Sequence, residues 1–195
     1  MLPEDDSKLV WHFDPEEVQI LIDKANQDWK TIILISAATG LRLSDIVGLE
    51  WSSVSLNQRH LIITPKKQKR GKRLKTITIP IGDSVVEALE KRGPQKAGFV
   101  FVEQAKKTTA THSTNFNNLM KRANIPKQVQ LDHGETGHRS FHSLRHSFAT
   151  WLLQADVEKD VRKSLMAHSS DEVHQIYASH DSETLRKATD KLPQF

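Results

Sequence analysis

Residues 142–157 read HSLRHSFATWLLQADV, and the apolar side chains in this stretch return every three or four positions. The recurring residues are Leu144, Phe148, Trp151, Leu152 and Ala155. Their spacing predicts a helix near 142–154 with one face in a hydrophobic core. His142 and Arg145 lie three positions apart and share the edge of that face, where they can contact one phosphate jointly. Taken alone, such a pair is more typical of two neighbouring surface residues.

The first fifty residues of the chain predict three helices. A helix over 14–26 opens with an acceptor side chain, a proline and two acids, all of which favour a helix N-terminus. An apolar helical stretch over 29–38 ends at Gly40, and a short helix over 44–49 begins with a capping serine. Arg42 falls in the bend between them, and a bend of this kind can direct a side chain into a cleft.

The middle of the chain predicts a small sheet. Two β-branched segments, at 61–64 and 76–79, predict an antiparallel hairpin that Pro80 closes. The other predicted elements are helices over 83–92, 113–123, 157–166, 171–178 and 182–192, a short strand over 99–102 and a polar irregular stretch over 124–140. The inward residues of the 113–123 helix are Phe116, Leu119, Met120 and Ala123. The expected fold is mainly α with a small antiparallel β-sheet (α+β), without internal repeats.

Length and composition limit the classes of protein that fit this chain. With 195 residues, of which 37% are hydrophobic and 27% charged, it is expected to form one globular domain. It contains no cysteine, which excludes disulfides, a thiolate nucleophile and cysteine-ligated metals. No apolar run is long enough to cross a bilayer, and the acidic residues 1–7 do not form a signal peptide. A cytoplasmic location is therefore expected.

Positive charge is concentrated between Lys66 and Lys75. Seven of these ten residues are basic and none is acidic. They are Lys66, Lys67, Lys69, Arg70, Lys72, Arg73 and Lys75. The formal net charge of the chain is +4, and removing these seven charges leaves −3 for the other residues. Such a run fits a polyanion held at one place, and it equally fits a solvated turn.

A histidine and the only tyrosine of the chain lie near its C-terminus. His168 follows the apolar turn 165–167, and Tyr177 comes nine residues later. A lone tyrosine is usually a core or interface residue whose hydroxyl bonds to a backbone group. The order of all the motifs, rather than this residue alone, therefore decides how Tyr177 is interpreted.

Four segments in a fixed order resemble the tyrosine recombinase, or phage integrase, family. They are TGLRLSDIVGLEW at 39–51, the lysine-rich hairpin, HSLRHSFATWLLQADV at 142–157 and LMAHSSDEVHQIY at 165–177. The resemblance covers residues 14–180 and implies the fold of that family's catalytic domain. It leaves residues 1–13 as an N-terminal linker or tail. The helix in residues 181–195 would then either dock on a neighbouring protomer or pack on its own domain.

The resemblance implies that the chain cuts and rejoins DNA through a 3′-phosphotyrosyl bond. It places Arg42 and Arg145 on the scissile phosphate, with His142 and His168 beside it and Tyr177 as the nucleophile. An arginine fork stays charged and matches the phosphate oxygens, so two arginines can stabilise the transition state without a metal ion or another cofactor. A neutral imidazole can accept the proton that the tyrosine loses during attack.

The basic hairpin supplies the remaining implied functions. The family's lysine lies where the first strand meets the turn; Lys66 and Lys67 both fit, and Lys67 is chosen as the general acid for the leaving 5′-oxygen. The residues left to bind DNA are Lys66, Lys69, Arg70, Lys72 and Arg73. The implied partner is double-stranded DNA, on which the protein would assemble as a homo-tetramer at the nucleoid of a bacterial or phage system. No membrane or small-molecule partner is implied.

Two features depart from the family pattern, and three other functions fit parts of the sequence. Met166-Ala167 stands where Leu-Gly is more common, and Asp45 stands where glutamate is common. The same scaffold could bind DNA without cleaving it, and a type IB topoisomerase shares the implied chemistry. A zinc hydrolase is prompted by four histidines, although HSLRH lacks the glutamate of H-E-x-x-H and Arg145 would repel a cation. Those histidines are His133, His138, His142 and His146.

Overall fold

Two helices, at residues 27–39 and 143–154, pack against each other at the centre of the fold. The computed structural model describes residues 9–63, 76–132, 134–166 and 182–195. Within these ranges the helices are α1 Pro15–Lys24, α2 Gln27–Thr39, α3 Leu43–Val47, α4 Asp83–Glu90, α5 Val102–Ala105, α6 Thr109–Arg122, α7 Ser143–Gln154, α8 Lys159–Met166 and α9 Ser182–Thr189. The strands are β1 Val54–Ser55, β2 His60–Ile63, β3 Ile77–Pro80, β4 Gln128–Gln130 and β5 Thr136–His138, and a single 3₁₀ turn spans Trp51–Ser53. The mainly α fold with small antiparallel sheets is thus confirmed. No helix in the described ranges is long and apolar enough to span a membrane.

The α2 helix is buried along most of its length and ends where its sequence predicts. Its N-terminus is capped by Asn26, whose Oδ1 accepts a hydrogen bond of 3.0 Å from the backbone nitrogen of Trp29. Its C-terminus stops at Gly40, which takes the left-handed conformation with φ of 65°. Ile32 and Ile33 are fully buried, and the helix contacts α1, α4 and α7. The core of the domain is therefore built around α2.

The α3 helix begins two residues earlier than its predicted cap indicates. The sequence predicts Ser44 as the cap, whereas Arg42 occupies that position in an extended conformation, with φ of −72° and ψ of 151°. The backbone nitrogen of Ile46 donates to the carbonyl of Arg42 at 3.1 Å, which places the first helical turn on the arginine. The helix ends at Gly48. Arg42 is thus fixed at a helix N-terminus and not in a free loop.

The strands β1, β2 and β3 form one antiparallel sheet in that order, which confirms the predicted hairpin. Ile63 pairs with Ile77 at one end of the hairpin, and His60 pairs with Pro80 at the other. Pro80 was expected to close the hairpin from outside, whereas it is the last residue of β3. A strand end tolerates proline because the missing N–H removes no hydrogen bond from the middle of the ladder. The basic run over 66–75 lies outside the described residues.

The segment over 99–102, predicted as a strand, does not form one. Phe99 makes a single isolated antiparallel bridge with Glu50, and α5 already begins at Val102. Gly98 has φ of 94°, which breaks the extended conformation directly before the segment. The β-branched and aromatic composition indicated a strand, but the neighbouring turn and helix leave no room for it.

The polar stretch over 124–140, predicted as irregular, contains a second hairpin. β4 and β5 pair antiparallel, beginning with Gln128 opposite His138. Val10 adds a parallel bridge to His138. These short strands are largely polar and lack the apolar alternation that reveals a half-buried strand, so the sequence pattern does not indicate them.

Residues 9–13, which the sequence places in an N-terminal tail, lie against the domain in the structure. The backbone nitrogen of Trp11 donates to the carbonyl of His138 at 2.9 Å. Phe13 is fully buried, and its backbone nitrogen donates to Oγ of Ser147 at 2.8 Å. The described chain therefore enters the domain alongside α7.

The helices of the C-terminal half bury their predicted apolar faces. The inward residues of α6 and the stripe of α7 are buried, apart from Ala155, which is half-buried. α6 begins four residues before its predicted start, because the hydroxyl of Thr108 caps it by accepting a 3.2 Å hydrogen bond from the backbone nitrogen of Thr111. The helix predicted over 171–178 lies outside the described residues.

The α9 helix packs on its own domain. Leu185, Ala188 and Leu192 are buried, and the helix contacts α8 and β3. Docking of this helix on a neighbouring protomer stays a prediction, since that arrangement involves a second chain.

Candidate functional site

Two hydroxyl groups at the end of α2 fix the bend that precedes Arg42. Oγ of Ser36 donates to the carbonyl of Leu41 at 3.2 Å, and the backbone nitrogen of Leu41 donates to Oγ1 of Thr39 at 3.3 Å. Leu41 is buried, while the next side chain, that of Arg42, is half-buried. The bend therefore anchors one residue in the core and directs the following arginine towards the surface.

Gly40 allows α7 to approach this bend closely. Its φ of 65° is in the left-handed region, and a Cβ at this position would lie 2.6 Å from Cδ1 of Phe148 on α7. No side chain larger than hydrogen fits there without moving the phenyl ring or the backbone. The glycine of the TGLR segment thus fixes the distance between α2 and α7.

Arg145 is buried, and its guanidinium joins two segments of main chain. Its side chain lies on α7 with the residue only 7% exposed. Nη1 donates to the carbonyl of Gly40 at 2.7 Å, and Nη2 donates to the carbonyl of Met166 at 2.6 Å. The sequence predicts Arg145 at the edge of the core, whereas the structure buries it. The two carbonyl oxygens replace the water that its guanidinium loses on burial.

These two carbonyls lie close in sequence to other predicted site residues. Gly40 comes two residues before Arg42, and Met166 comes two residues before His168. Arg145 therefore connects the bend that carries Arg42 to the end of α8, two residues before His168.

His142 immediately precedes α7 and lies in the electrostatic field of both arginines. Its side chain reaches solvent, but the protein covers part of the ring. Burial is the main cause that lowers the pKa of His142 below its usual range, and the positive charges of His146, Arg145 and Arg42 lower it further. The imidazole is thus kept neutral near pH 7, the state in which it can accept a proton.

Two further histidines lie near His142. The sequence offered His146 only as a candidate zinc ligand and gave His12 no role. His146 follows His142 by one helical turn, and the two ring centroids are 5.1 Å apart with the planes at 73°. The pKa of His146 is lowered by burial, by Arg145 and by His12. The i,i+4 spacing could have indicated the contact of His146 with His142, whereas no sequence pattern brings His12 to it.

The described residues bring together three of the six predicted catalytic residues, Arg42, His142 and Arg145. Lys67, His168 and Tyr177 lie outside the described residues. The same holds for the predicted DNA-binding residues, which are Lys66, Lys69, Arg70, Lys72 and Arg73.

The zinc alternative gains no support from the described histidines. Among the described residues, no three His, Cys, Asp or Glu side chains are grouped as a set of metal ligands. His133 lies outside those residues. Between His142 and His146 the helix carries the guanidinium of Arg145, whose charge lowers the pKa of both rings.

The bend after α2 and the start of α7 bring two arginines and a histidine into one region, and groups of this kind are suited to binding an oxyanion such as phosphate. The model of the phage integrase family matches residues 12–184, and the chain belongs to this family. This confirms the resemblance that the four sequence segments indicated.

Individual relatives agree with the family assignment and the fold. The integrase of Salmonella phage P22 is 28% identical over 179 residues, which cover 91% of this chain and 46% of that protein. The structure of the integrase from mycobacterium phage Brujita aligns with a TM-score of 0.73 at 23% identity, covering 99% of this chain and 60% of that one. The Tn1549 transposon integrase in complex with a circular intermediate DNA aligns with a TM-score of 0.64 at 20% identity, covering 96% of this chain and 67% of that one. The chain spans about half the length of the curated relatives it matches.

Proposed function

We propose that this chain is the catalytic domain of a site-specific recombinase that breaks and rejoins double-stranded DNA through a covalent bond to Tyr177. Membership of the phage integrase family supports the class of reaction. The observation that carries the proposal is the double hydrogen bond of Arg145 to the carbonyls of Gly40 and Met166. It ties the segment that carries Arg42 to the one that leads to the predicted nucleophile.

The described groups suit the binding of one phosphodiester. Arg42 is the N-cap residue of α3, and the guanidinium of Arg145 is held by hydrogen bonds to main-chain carbonyls. Two guanidinium groups in such positions can stabilise the charge on the phosphate oxygens as the phosphorus becomes pentacoordinate. His142 adds a neutral imidazole at the edge of the same site.

In the proposed reaction the phenol oxygen of Tyr177 attacks the phosphorus, and the bond from phosphorus to the 5′-oxygen breaks. The proton of the phenol passes to His142, while Lys67 gives a proton to the departing 5′-oxygen. Cleavage leaves a 3′-phosphotyrosyl bond and a free 5′-hydroxyl. A 5′-hydroxyl then attacks the phosphotyrosine and reseals a strand, so no other energy source is needed. His168 completes the set of groups beside the phosphate.

Trapping of the covalent intermediate tests the proposal. The probe is a pool of duplexes with randomised sequence, each with a nick in one strand that lets the short cleaved fragment diffuse away. We expect a denaturation-resistant protein–DNA adduct with the wild-type chain and none with Tyr177→Phe, which removes a single hydroxyl. Sequencing of the trapped DNA would give the target site. Failure of the wild-type chain to form any adduct on the pool would overturn the proposal.

A bridging sulfur in place of the 5′-oxygen tests which lysine is the general acid. A thiol has a pKa near 8.5 and leaves without protonation, so the sulfur substrate makes the general acid unnecessary. We expect Lys67→Ala to slow adduct formation on the oxygen substrate by about 100-fold and to react normally on the sulfur substrate. Lys66→Ala is the matched control. If Lys66→Ala shows the rescue instead, the roles of the two residues are exchanged.

The remaining basic residues are proposed to bind DNA phosphates. Neutralising Lys69, Arg70, Lys72 and Arg73 should weaken binding to all DNA sequences and reduce the salt dependence of the affinity. The binding constant measured across a series of salt concentrations checks this, and an unchanged slope would contradict it.

We further propose that the protein assembles as a tetramer on DNA, and that α9 leaves its place against α8 and β3 to dock on a neighbour. Deletion of residues 181–195 should then leave monomers on DNA in sedimentation experiments.

A further inference from the structure

The ring of His142 packs against the ring of His146. Within the part of the chain that the structure describes, neither His142 nor His146 forms a side-chain hydrogen bond. The two rings instead meet nearly edge to face, with centroids 5.1 Å apart and planes at 73°. A proton acceptor is effective only when its ring is oriented towards the donor, so the neighbour that limits rotation of His142 affects its function.

His146 itself stands on a rigid part of α7. Its two sequence neighbours, Arg145 and Ser147, are both buried. Oγ of Ser147 accepts a 2.8 Å hydrogen bond from the backbone nitrogen of Phe13 and lies 3.0 Å from the carbonyl oxygen of the same residue. This contact fixes the entering segment along α7. It also brings His12 close enough for its charge to influence His146.

We propose that His146 is a positioning residue for His142. The inference rests on the proposed function, in which His142 accepts the proton of Tyr177. His146 contributes in two ways. Its ring limits the rotation of the His142 ring, and its charge, when it is protonated, disfavours protonation of the acceptor.

The charged groups that face the two rings all act in the same direction. Burial is the largest cause that lowers the pKa of both rings. Arg145 on α7 lowers the pKa of both further, Arg42 from the bend after α2 lowers that of His142, and His12 from the entering segment lowers that of His146. Removing the imidazole of His146 removes one of the causes that lower the pKa of His142. That pKa should therefore rise, and the acid limb of the cleavage rate should move to higher pH.

Two substitutions separate the ring contact from the charge. His146→Phe keeps an aromatic ring and loses the ionisable group, while His146→Ala loses both. Much of the His146 side chain reaches solvent, although the protein covers part of the ring, so both variants should fold, and thermal unfolding checks this. His60→Phe, on β2 and outside the site, is the matched control. The readout is the single-turnover rate of adduct formation from acid to neutral pH, on a nicked duplex selected from the randomised pool.

We expect His146→Phe to shift the midpoint of the acid limb upwards while keeping the plateau rate within about twofold of the wild type. His146→Ala should shift the midpoint and also lower the plateau by roughly 10- to 100-fold, because a freely rotating acceptor is misplaced for part of the time. Affinity for DNA should not change in either variant, whereas a general loss of structure would weaken it. An unchanged midpoint and plateau in both variants would overturn the inference.

An NMR titration of the histidine side chains in the DNA-free chain provides a readout besides activity. The midpoint of His142 should rise in His146→Phe, and it should stay at the wild-type value in His60→Phe. If this shift occurs while the wild-type chain forms no adduct, the proposed function fails and the coupling of the two rings stands. If adducts form but the His142 midpoint stays unchanged, the inference about His146 fails by itself.

Discussion

Arg139 and Arg145 lie six residues apart, both are buried, and their surroundings differ. Arg139 is 5% exposed and Arg145 is 7% exposed. Nη1 of Arg139 donates to a carboxylate oxygen of Glu17 at 2.7 Å, and its guanidinium lies over the ring of Phe13 at 5.2 Å. Arg145 donates to the main-chain carbonyls of two distant segments. The first arginine is matched by an opposite charge, and the second orders the backbone around a predicted phosphate site.

The contrast shows that burial of an arginine does not by itself define its role. An ion pair such as that of Arg139 holds two parts of the fold together and needs no ligand. An arginine on carbonyl oxygens is held by neutral acceptors, through hydrogen bonds that its own charge strengthens. Substitutions at the two positions should therefore affect different quantities, one the reaction and the other the stability.

The largest effect is expected for Arg145. Arg145→Lys keeps a positive charge but cannot donate to two carbonyls from a planar fork, so both the phosphate contact and the link between segments are lost. We expect adduct formation to fall by about 100- to 1000-fold. The rate is measured on a nicked duplex, with Arg139→Lys as the matched control. Near-normal cleavage by Arg145→Lys would show that the charge alone matters and would remove the main support for the proposed site.

Arg139→Met should affect stability more than activity. It leaves the carboxylate of Glu17, which is 23% exposed, without its partner, and we expect the free energy of unfolding to fall by about 2–4 kcal/mol. Urea denaturation measures this change. Glu17→Gln combined with Arg139→Met should recover part of the loss, because no unpaired charge remains. If the double variant is no more stable than the single one, the ion pair is not the cause.

Gly40→Ala tests whether the bend needs both its backbone conformation and the close approach of Phe148. A methyl group would lie 2.6 Å from the phenyl ring at a φ of 65°, and we expect a loss of about 1–3 kcal/mol together with slower cleavage. Gly93→Ala is the control, since its φ is 76° and no atom lies within 4 Å of the added Cβ. It should lose about 1 kcal/mol or less, through the backbone alone. Equal losses at both glycines, measured by urea denaturation, would mean that contact with Phe148 is unimportant.

The sequence predicts those elements whose signal is carried by neighbouring residues. The apolar spacing of α7, the stop of α2 at Gly40 and the hairpin of β2 and β3 all follow from local patterns, because helices and strands place side chains at fixed intervals. The same reasoning gives the inward face of α6. It does not find β4 and β5, whose polar side chains carry no such pattern and whose stability comes from backbone pairing and from the bridge of Val10 to His138.

The candidate site divides in the same way. The sequence by itself determined the family and the residue types of the site, because the order and spacing of the arginine, histidine and tyrosine motifs can be read directly from it. Only the tertiary structure decided that Arg145 is buried and bonded to the carbonyls of Gly40 and Met166, and that His12 lies near His146. These contacts join residues up to 134 positions apart, as between Phe13 and Ser147, and they depend on how whole helices pack. No local pattern of side chains records such packing, because it is fixed by the combined shape of the core.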